Sequence, residues 1–240
     1  MLDWVSRIVF NENSPLEAQG DENNFGFQRH KPELMPYSHW HGHIEINYLF
    51  DCNADYLING KKISVPEGRM IIFWASIPHQ MIATQGDGEM VNLYIPLQAF
   101  LTWKFSDEFI SEILHGEVLV SDKLHPSDQH FTHMWETDLA SNDASLMMQV
   151  IDEMRNRIRR MSLEPYGTFN LSNSSDRLNK KALVSGLPHI QTILRFIADN
   201  YDQKITIKQV AEKTGLHPNY AMKLFHRVLK ISIKQYIFPM

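Results

Sequence analysis

The sequence predicts an α+β protein: a small β-barrel or sandwich, then helices, then a separate all-α unit. Three observations support this prediction. Short apolar runs between turn residues occupy residues 31–96, amphipathic stripes at helical spacing occupy residues 97–161, and two short helices around a glycine lie within residues 187–240. Residues 162–186, rich in Ser, Asn and Gly, are the predicted linker, and residues 1–30 are predicted to form an irregular N-terminal arm.

Composition narrows the class of protein. Hydrophobic residues make up 43% of the 240 residues and charged residues 21%, as in ordinary globular proteins. The chain has no run of about eighteen apolar residues that would predict a membrane span, and its N-terminus lacks a secretory pattern. Cys52 is the single cysteine, so we expect no intrachain disulfide and a cytoplasmic location. The lack of a Ser/His/Asp set, a phosphate loop or a CxxC pair favours a protein that is not an enzyme.

The strand region is regularly punctuated by turn residues. Residues 44–50 and 54–58 are the first clear predicted strands, and Asn59-Gly60 is typical of a hairpin turn leading into residues 61–65. Short strands at even spacing predict the barrel or sandwich. Two further strands are predicted at residues 70–74 and 89–95.

The C-terminal segment carries the clearest local pattern. Thr206 and Gln209 form a capping-box pair that predicts a helix starting at Ile207, and Gly215 suits its left-handed end. Pro218 suits the first turn of a second helix, because its missing N–H is harmless there. The apolar face predicted for that second helix consists of Tyr220, Leu224, Phe225 and Val228.

The opposite face of the second helix is polar, as in a helix-turn-helix that places this helix in the DNA major groove. The residues predicted to face DNA there are Asn219, Met222, Lys223, His226 and Arg227. Arg227, Lys223 and Asn219 are the best candidates for base edges, because of their donors and acceptors. The predicted phosphate contacts are Lys204, Lys208 and Lys213.

Charge separates the two parts of the chain. Residues 187–240 hold eight Lys or Arg and three Asp or Glu, whereas residues 1–186 hold fifteen and twenty-five. A basic tail on an acidic body favours phosphate contact by the tail, and so double-stranded DNA as a partner. The alternative is a plain helical hairpin with a solvated polar face, which uses the same capping and turn residues.

A second group of polar side chains lies in the strand region. Alternate residues of extended backbone share a face, so His39, His41, His43 and Glu45 are predicted to line up, and His79 follows later in the chain. Three interpretations remain open: ligands for a divalent transition metal, a small-molecule pocket without metal, or structural histidines on a solvated sheet face. Trp74 is a candidate stacking platform in the second interpretation.

Residues 203–230 (QKITIKQVAEKTGLHPNYAMKLFHRVLK) resemble the first helix-turn-helix of the AraC/XylS family of bacterial transcription regulators. The resemblance implies two such units joined by a long helix, behind an N-terminal cupin-like barrel that senses a small molecule, usually without metal. Residues 232–237 (SIKQYI) are similar to the start of the joining helix, but residues 238–240 depart from the pattern. We therefore expect an incomplete unit, truncated before the second helix-turn-helix, that binds DNA weakly.

The resemblance also bears on the effector. SHWHG at residues 38–42, FIADNYDQ at 196–203 and NYAM at 219–222 are similar to a sugar-responsive branch of the family, which implies an α-galactoside such as melibiose. The residues that resemble the HxHxxxE and later His of cupin barrels are His39, His41, Glu45 and His79. The alternative function is therefore a metal-dependent cupin enzyme or a metal sensor.

An apolar stripe in the predicted helical region has two interpretations. It packs on the barrel as core, or it pairs with the same helix of a second subunit, because an amphipathic helix must bury its apolar face. Pairing would suit a homodimer that reads paired DNA sites. A third alternative function is a truncated partner that dimerises with a full-length regulator and blunts it. The stripe consists of Leu146, Val150, Met154, Ile158 and Met161.

Overall fold

The computed structural model divides the chain into two units. The N-terminal unit comprises residues 1–106 and 116–171, and the C-terminal unit comprises residues 107–115 and 172–240. The residues that the structure describes are 4–5, 9–11, 14–19, 25–123, 125–169, 186–200, 204–229 and 232–237.

The N-terminal unit is built on a seven-stranded sheet in the order β1-β4-β10-β5-β8-β11-β12 and a three-stranded sheet in the order β7-β6-β9, with a β2-β3 pair besides. The strands are β1 (Trp4–Val5), β2 (Val9–Asn11), β3 (Ser14–Gln19), β4 (Phe25–His30), β5 (His43–Phe50), β6 (Asn53–Ile58), β7 (Lys61–Val65), β8 (Met70–Trp74), β9 (His79–Gln85), β10 (Glu89–Pro96), β11 (Val118–Ser121) and β12 (Tyr166–Phe169). The predicted hairpin at Asn59-Gly60 is confirmed, since Ile58 pairs with Lys61 and both turn residues have positive φ.

One apolar core joins the two large sheets. Leu49 of β5 and Phe73 of β8 contribute from the seven-stranded sheet, and Tyr56 of β6 and Met81 of β9 contribute from the three-stranded sheet. Every residue of β5 is buried, because the strand lies in the middle of its sheet with β10 and β8 as neighbours. This central strand carries Glu45, so the sheet places a carboxylate inside the unit.

Six of the described strands lie outside the predicted strand region: β1 to β4 in the predicted irregular arm, β11 in the predicted helical region and β12 in the predicted linker. Phe25–His30, predicted to belong to an irregular arm, forms β4 and pairs antiparallel with β10. Phe25 and Phe27 alternate over too few residues, among polar neighbours, to predict a strand. The pairing of β4 with β10 requires Gly26, because a Cβ at this position would lie 2.6 Å from the Tyr94 ring. Val118–Ser121 interrupts the predicted helical region as β11, and Tyr166–Phe169 in the predicted linker pairs with it as β12. A four-residue apolar run is compatible with either structure until a partner strand is known.

The helices are α1 (Leu97–Thr102), α2 (Asp107–Leu114), α3 (Ser127–Ala140), α4 (Ala144–Leu163), α5 (Leu187–Asp199), α6 (Ile207–Thr214), α7 (Pro218–Leu229) and α8 (Ile233–Ile237). Contacts place α2 in the C-terminal unit, although it precedes β11 in the chain. The α+β prediction, with a sheet unit first and a helix-turn-helix last, is confirmed. None of the described helices is long and apolar enough to cross a membrane.

The apolar stripe of α4 packs within the N-terminal unit. Val150, Met154 and Ile158 are at most 1% exposed, as is Met161, whereas Leu146 at the first turn is 37% exposed. The stripe therefore belongs to the core of this unit. The alternative interpretation, that it pairs with the same helix of a second subunit, is wrong. Two polar contacts fix α4 against α3: Trp135 Nε1 donates to Glu153 Oε2 at 2.7 Å, and Arg157 makes a bidentate ion pair with Asp128 at 2.7 and 2.9 Å.

Candidate nucleic-acid interface and buried histidine cluster

The first helix of the predicted helix-turn-helix begins at a capping box. Thr206 N–H donates to Gln209 Oε1 at 2.9 Å, and Gln209 N–H donates to Thr206 Oγ1 at 3.3 Å. The two residues thus satisfy backbone donors that have no partner inside the helix. The predicted start of α6 at Ile207 is confirmed.

The turn between α6 and α7 is defined by a glycine and a histidine. Gly215 has φ 67° and ψ 16°, and the N–H of Leu216 reaches back to the Ala211 carbonyl at 3.1 Å, which closes the end of α6. His217 then caps α7, because its Nδ1 accepts from Asn219 N–H at 3.3 Å and its carbonyl accepts from Tyr220 N–H at 2.9 Å.

The faces of α7 are sharply divided. Asn219, Met222, Lys223 and His226 are exposed and follow each other at steps of three, one and three residues, so they form a single row that we call the α7 stripe. Arg227 beside the row is half-buried. The buried face consists of Ala221, Leu224, Phe225, Val228 and Leu229.

Tyr220 was predicted to lie on the apolar face and is instead 48% exposed. Ala221 takes the buried position in the first turn, because the apolar face follows the row of Ala221, Leu224, Phe225 and Val228. Tyr220 therefore joins the candidate DNA-facing residues that the sequence analysis missed. The small size of Ala221, next to a tyrosine with a polar hydroxyl, was the available signal.

The three lysines predicted to contact phosphate are all exposed. Lys208 lies 3.9 Å from Glu212 on the same helix, with 82% of its side chain exposed, so the ammonium is available to another anion. Lys213 lies over the Phe196 ring, 5.7 Å from its centroid, which orients the side chain without neutralising its charge. Lys204 precedes α6 in irregular backbone.

In the N-terminal unit, backbone pairing brings the predicted histidines together. His39 and His79 exchange backbone hydrogen bonds of 3.0 and 2.9 Å, and His41 N–H donates to the Ala75 carbonyl at 3.0 Å. Glu45 follows on β5 with its side chain toward them. All four of these side chains belong to residues that are at most 4% exposed, and we call them the histidine cluster.

Glu45 is at the centre of the contacts within the histidine cluster. Its Oε2 lies 3.0 Å from His41 Nε2 and 3.3 Å from His79 Nε2, and its Oε1 accepts from Asn92 Nδ2 at 3.2 Å. His41 Nδ1 in turn lies 3.2 Å from His43 Nδ1. The cluster is therefore a compact set of nitrogen and oxygen donors rather than a solvated sheet face.

Comparison with known proteins identifies the family. The model of the bacterial regulatory helix-turn-helix proteins of the AraC family matches residues 197–238. The melibiose operon regulatory protein of Escherichia coli K12 is 34% identical to this chain over 228 residues, which cover 95% of the chain and 75% of that protein. The chain belongs to the AraC family. It is therefore homologous to the melibiose operon regulatory protein and is a DNA-binding transcription regulator, and membership of this family points away from an enzyme.

One further relative and two solved structures are also similar to this chain. The melibiose operon regulatory protein of Escherichia coli O6:H1 gives the same identity and coverage. Among solved structures, the AraC-like transcriptional activator CuxR is 10% identical at a TM-score of 0.39, covering 82% of this chain and 64% of CuxR. Unsaturated-fatty-acid-bound ToxT from Vibrio cholerae is 12% identical at a TM-score of 0.36, covering 89% of this chain and 95% of ToxT.

Burial sets the charge states inside the histidine cluster of this AraC-family chain. Burial, together with repulsion from His79 and His41, lowers the pKa of His39 to about 2, and burial also lowers the pKa of His41. Burial alone would raise the pKa of Glu45, but its contacts with His41 and His79 outweigh that effect and hold the pKa well below its ordinary value. At neutral pH, burial thus keeps His39 and His41 neutral beside an ionised Glu45 carboxylate.

Trp74, predicted to be a stacking platform beside the histidines, lies on the other face of β8. It pairs with Ile44, whereas Phe73 pairs with Glu45. Because side chains alternate across a strand, Phe73 takes the place that was predicted for Trp74, and its ring centroid lies 5.1 Å from that of His79. Trp74 is buried and does not line the histidine cluster.

Strand β10 contributes two further residues to the histidine cluster's surroundings. Tyr94 pairs with Glu45 across the sheet and lies 5.4 Å from the His41 ring, and Asn92 pairs with Asn47. The sequence analysis missed both. Their spacing of two residues on a predicted strand was a signal, but the register that sets them opposite β5 was not visible in the sequence.

Proposed function

We propose that this chain is a sugar-responsive transcription regulator in which the α7 stripe reads DNA and the histidine cluster belongs to the effector site. The observation that supports DNA reading is the exposed row of Asn219, Met222, Lys223 and His226 on a helix whose other face is buried. A helix of this kind fits the major groove, and an ammonium and an amide are groups that read base edges.

The cationic side chains in and near the helix-turn-helix have two separate roles. Lys223 lies in the middle of the α7 stripe and points away from the apolar face, so it contacts base edges. Arg227 is half-buried beside the stripe and supports the same contact. Lys204, Lys208 and Lys213 lie outside α7, in or just before α6, where positive charge positions the protein on the DNA backbone without reading sequence.

DNA-binding assays on two lysine variants test this assignment. The probes are a duplex selected from a random pool by the wild-type chain and an unrelated duplex of equal length. Lys223→Ala should weaken binding to the selected duplex by about 1–3 kcal/mol, roughly 5- to 150-fold, and weaken binding to the unrelated duplex less. Lys208→Ala should weaken both equally and reduce the salt slope by about one.

Both lysines are exposed, so we expect neither variant to change stability by more than about 0.5 kcal/mol. Anisotropy titrations at several salt concentrations make the measurement. If Lys223→Ala weakens binding to both duplexes by the same factor, α7 does not read bases and the proposal for its stripe is wrong.

The proposed effector is an α-galactoside of the melibiose type. Two observations support it: the 34% identity to a melibiose operon regulatory protein, and the set of His, Glu, Asn and Tyr side chains gathered around Glu45. Carboxylate, imidazole and amide groups hydrogen-bond sugar hydroxyls, and aromatic rings stack on sugar faces. A regulator with this effector would act on genes of α-galactoside use in the cytoplasm, where bacterial DNA lies.

Calorimetric titration with melibiose tests the effector, with maltose as the control sugar. We expect saturable binding of melibiose alone. Glu45→Gln should abolish it, because the amide replaces an ionised acceptor, and Glu33→Gln on the exposed loop should leave it unchanged. Binding of melibiose that survives Glu45→Gln would place the sugar elsewhere in the chain.

The regulator is also proposed to act as a homodimer. Since the α4 stripe is buried in the core, α3 is the better candidate surface: Phe131 is 38% exposed and Met134 is 36% exposed, three residues apart on one face. Two apolar side chains on a helix face suit a self-complementary contact.

A further inference from the structure

We propose that the histidine cluster binds one divalent transition-metal ion through His39, His41 and His79, with the Glu45 carboxylate as a fourth ligand or as their hydrogen-bond partner. The inference goes beyond sugar sensing, because it concerns a metal ion that binds whether or not a sugar follows. Imidazole nitrogens with a carboxylate oxygen suit ions such as Zn²⁺, Co²⁺, Ni²⁺ and Fe²⁺.

Distances inside the cluster suit a single ion. One nitrogen from each of the three histidines lies within 4.8 Å of the other two. Around an ion with metal–nitrogen bonds of about 2.0–2.1 Å, ligand atoms lie roughly 3–4 Å apart, so a small inward movement of the rings is enough. The backbone bonds between His39 and His79 hold two of the three ligands in register.

The orientation of His79 is the strongest observation. Its Nδ1 lies 2.9 Å from the Ile77 carbonyl oxygen, which can only accept, so Nδ1 carries a ring hydrogen and Nε2 is the nitrogen that faces Glu45. Nε2 is fully buried, has no partner in hydrogen-bond geometry and lies 3.3 Å from Glu45 Oε2. A metal ion bound by both atoms would give the Nε2 nitrogen the partner that it lacks.

Charge balance supports the same conclusion. Glu45 is buried, and among the described residues its ion-pair partners are His41 and His79, with no Lys or Arg. Burying a carboxylate is costly, and a divalent ion bound beside Glu45 would offset that cost.

The surroundings resemble the outer shell of a metal site. The Ile77 carbonyl fixes the ring orientation of His79, and the Asn92 amide fixes Glu45 through a 3.2 Å hydrogen bond. Such outer contacts orient ligands and raise their basicity. Tyr94 and Phe73 form apolar walls beside the rings, and these exclude water from the ion.

Metal content and spectroscopy of untagged protein test the proposal. The full chain is stripped with chelator, loaded with Co²⁺ or Zn²⁺ and passed over a desalting column. We expect one ion per chain, a visible Co²⁺ spectrum without a thiolate charge-transfer band, and a melting temperature that rises with Zn²⁺ and falls again with chelator. His79→Gln should lose the ion, and His133→Gln on the exposed face of α3 should keep it.

Two results would overturn the proposal. One is a folded wild-type chain, judged by tryptophan fluorescence, that retains no Co²⁺ and whose melting temperature does not respond to Zn²⁺. The other is an ion that binds at a different place. A thiolate band would place the retained ion at Cys52, and an ion that is also retained by His79→Gln would not be bound by the histidine cluster. If His79→Gln does not fold, the wild-type content and melting shift decide the question without it. Melibiose titration of the stripped chain is a separate measurement, so failure of the metal site and failure of sugar binding are distinguishable.

Discussion

Replacement of Gly215 by alanine tests whether backbone conformation at the end of α6 holds the helix-turn-helix together. Gly215 has φ 67°, and a Cβ built on it would meet nothing within 4 Å, so the cost of alanine comes from the backbone alone. The left-handed conformation costs an L-residue about 1–2 kcal/mol. Alanine also lowers the conformational entropy of the unfolded chain, and this effect offsets about 0.4–1 kcal/mol of that cost. We expect a net loss of about 1 kcal/mol, roughly fivefold in the opening equilibrium.

The two units of the chain can be followed separately in this experiment. All five tryptophans lie in the N-terminal unit, so their fluorescence reports that unit alone. Hydrogen exchange of amides in α6 and α7 reports the C-terminal unit. Gly215→Ala should raise exchange there about fivefold and leave the tryptophan transition unchanged, while Gly215→Asn should cost less, because asparagine tolerates this conformation.

Gly60 supplies the matched control, since its φ is 73° and a Cβ there also meets nothing within 4 Å. Gly60→Ala should shift the tryptophan transition and leave exchange in α6 and α7 unchanged. The reasoning is refuted if Gly215→Ala leaves exchange in α6 and α7 at the wild-type rate, or if Gly215→Asn is more harmful than Gly215→Ala.

The remaining predictions concern packing of the N-terminal unit and assembly. Asp128→Ala leaves the Arg157 guanidinium, 9% exposed, without its carboxylate and should cost about 3–5 kcal/mol in urea unfolding followed by tryptophan fluorescence. Asp152, which forms an ion pair on the surface, is the control, and Asp152→Ala should lower the free energy of unfolding by at most about 1 kcal/mol. Equal losses of unfolding free energy in the two variants would contradict the assignment of Asp128 to a buried pair. Phe131→Glu should convert the dimer to monomer in sedimentation velocity, while Leu34→Glu, at a loop position that is 60% exposed, should leave it dimeric. A monomeric wild-type chain would contradict the proposed assembly.

Features that depend on a few neighbouring residues were predictable from the sequence. The capping box at Thr206, the left-handed glycine at 215 and the exposed row of α7 were predicted and lie where expected. Capping, turn conformation and helical periodicity act over about one or two turns of helix, so the residues that decide them lie close together in the chain. The error at Tyr220 was small for the same reason, since it concerned the edge of a face whose centre was correct.

The strand unit was only partly predictable, because a strand is defined by its partners. Residues 118–121 became a strand through pairing with β8 and β12, and residues 25–30 through pairing with β10. Nothing within either segment names those partners. The same limit explains Trp74, since the register of β8 against β5 decides which side chain faces Glu45, and a shift of one residue exchanges the faces.

By itself, the sequence determined the helix-turn-helix, its polar row and the side-chain types of the histidine cluster, because these follow from local geometry and residue chemistry. Tertiary structure alone decided that His79 lies against His39 and beside Glu45, that Phe73 rather than Trp74 lines the cluster, and that the α4 stripe is core. Those outcomes depend on contacts between segments far apart in the chain. Such contacts form only when the sheets pair and bury a common core, and the burial then sets the charge of every group inside.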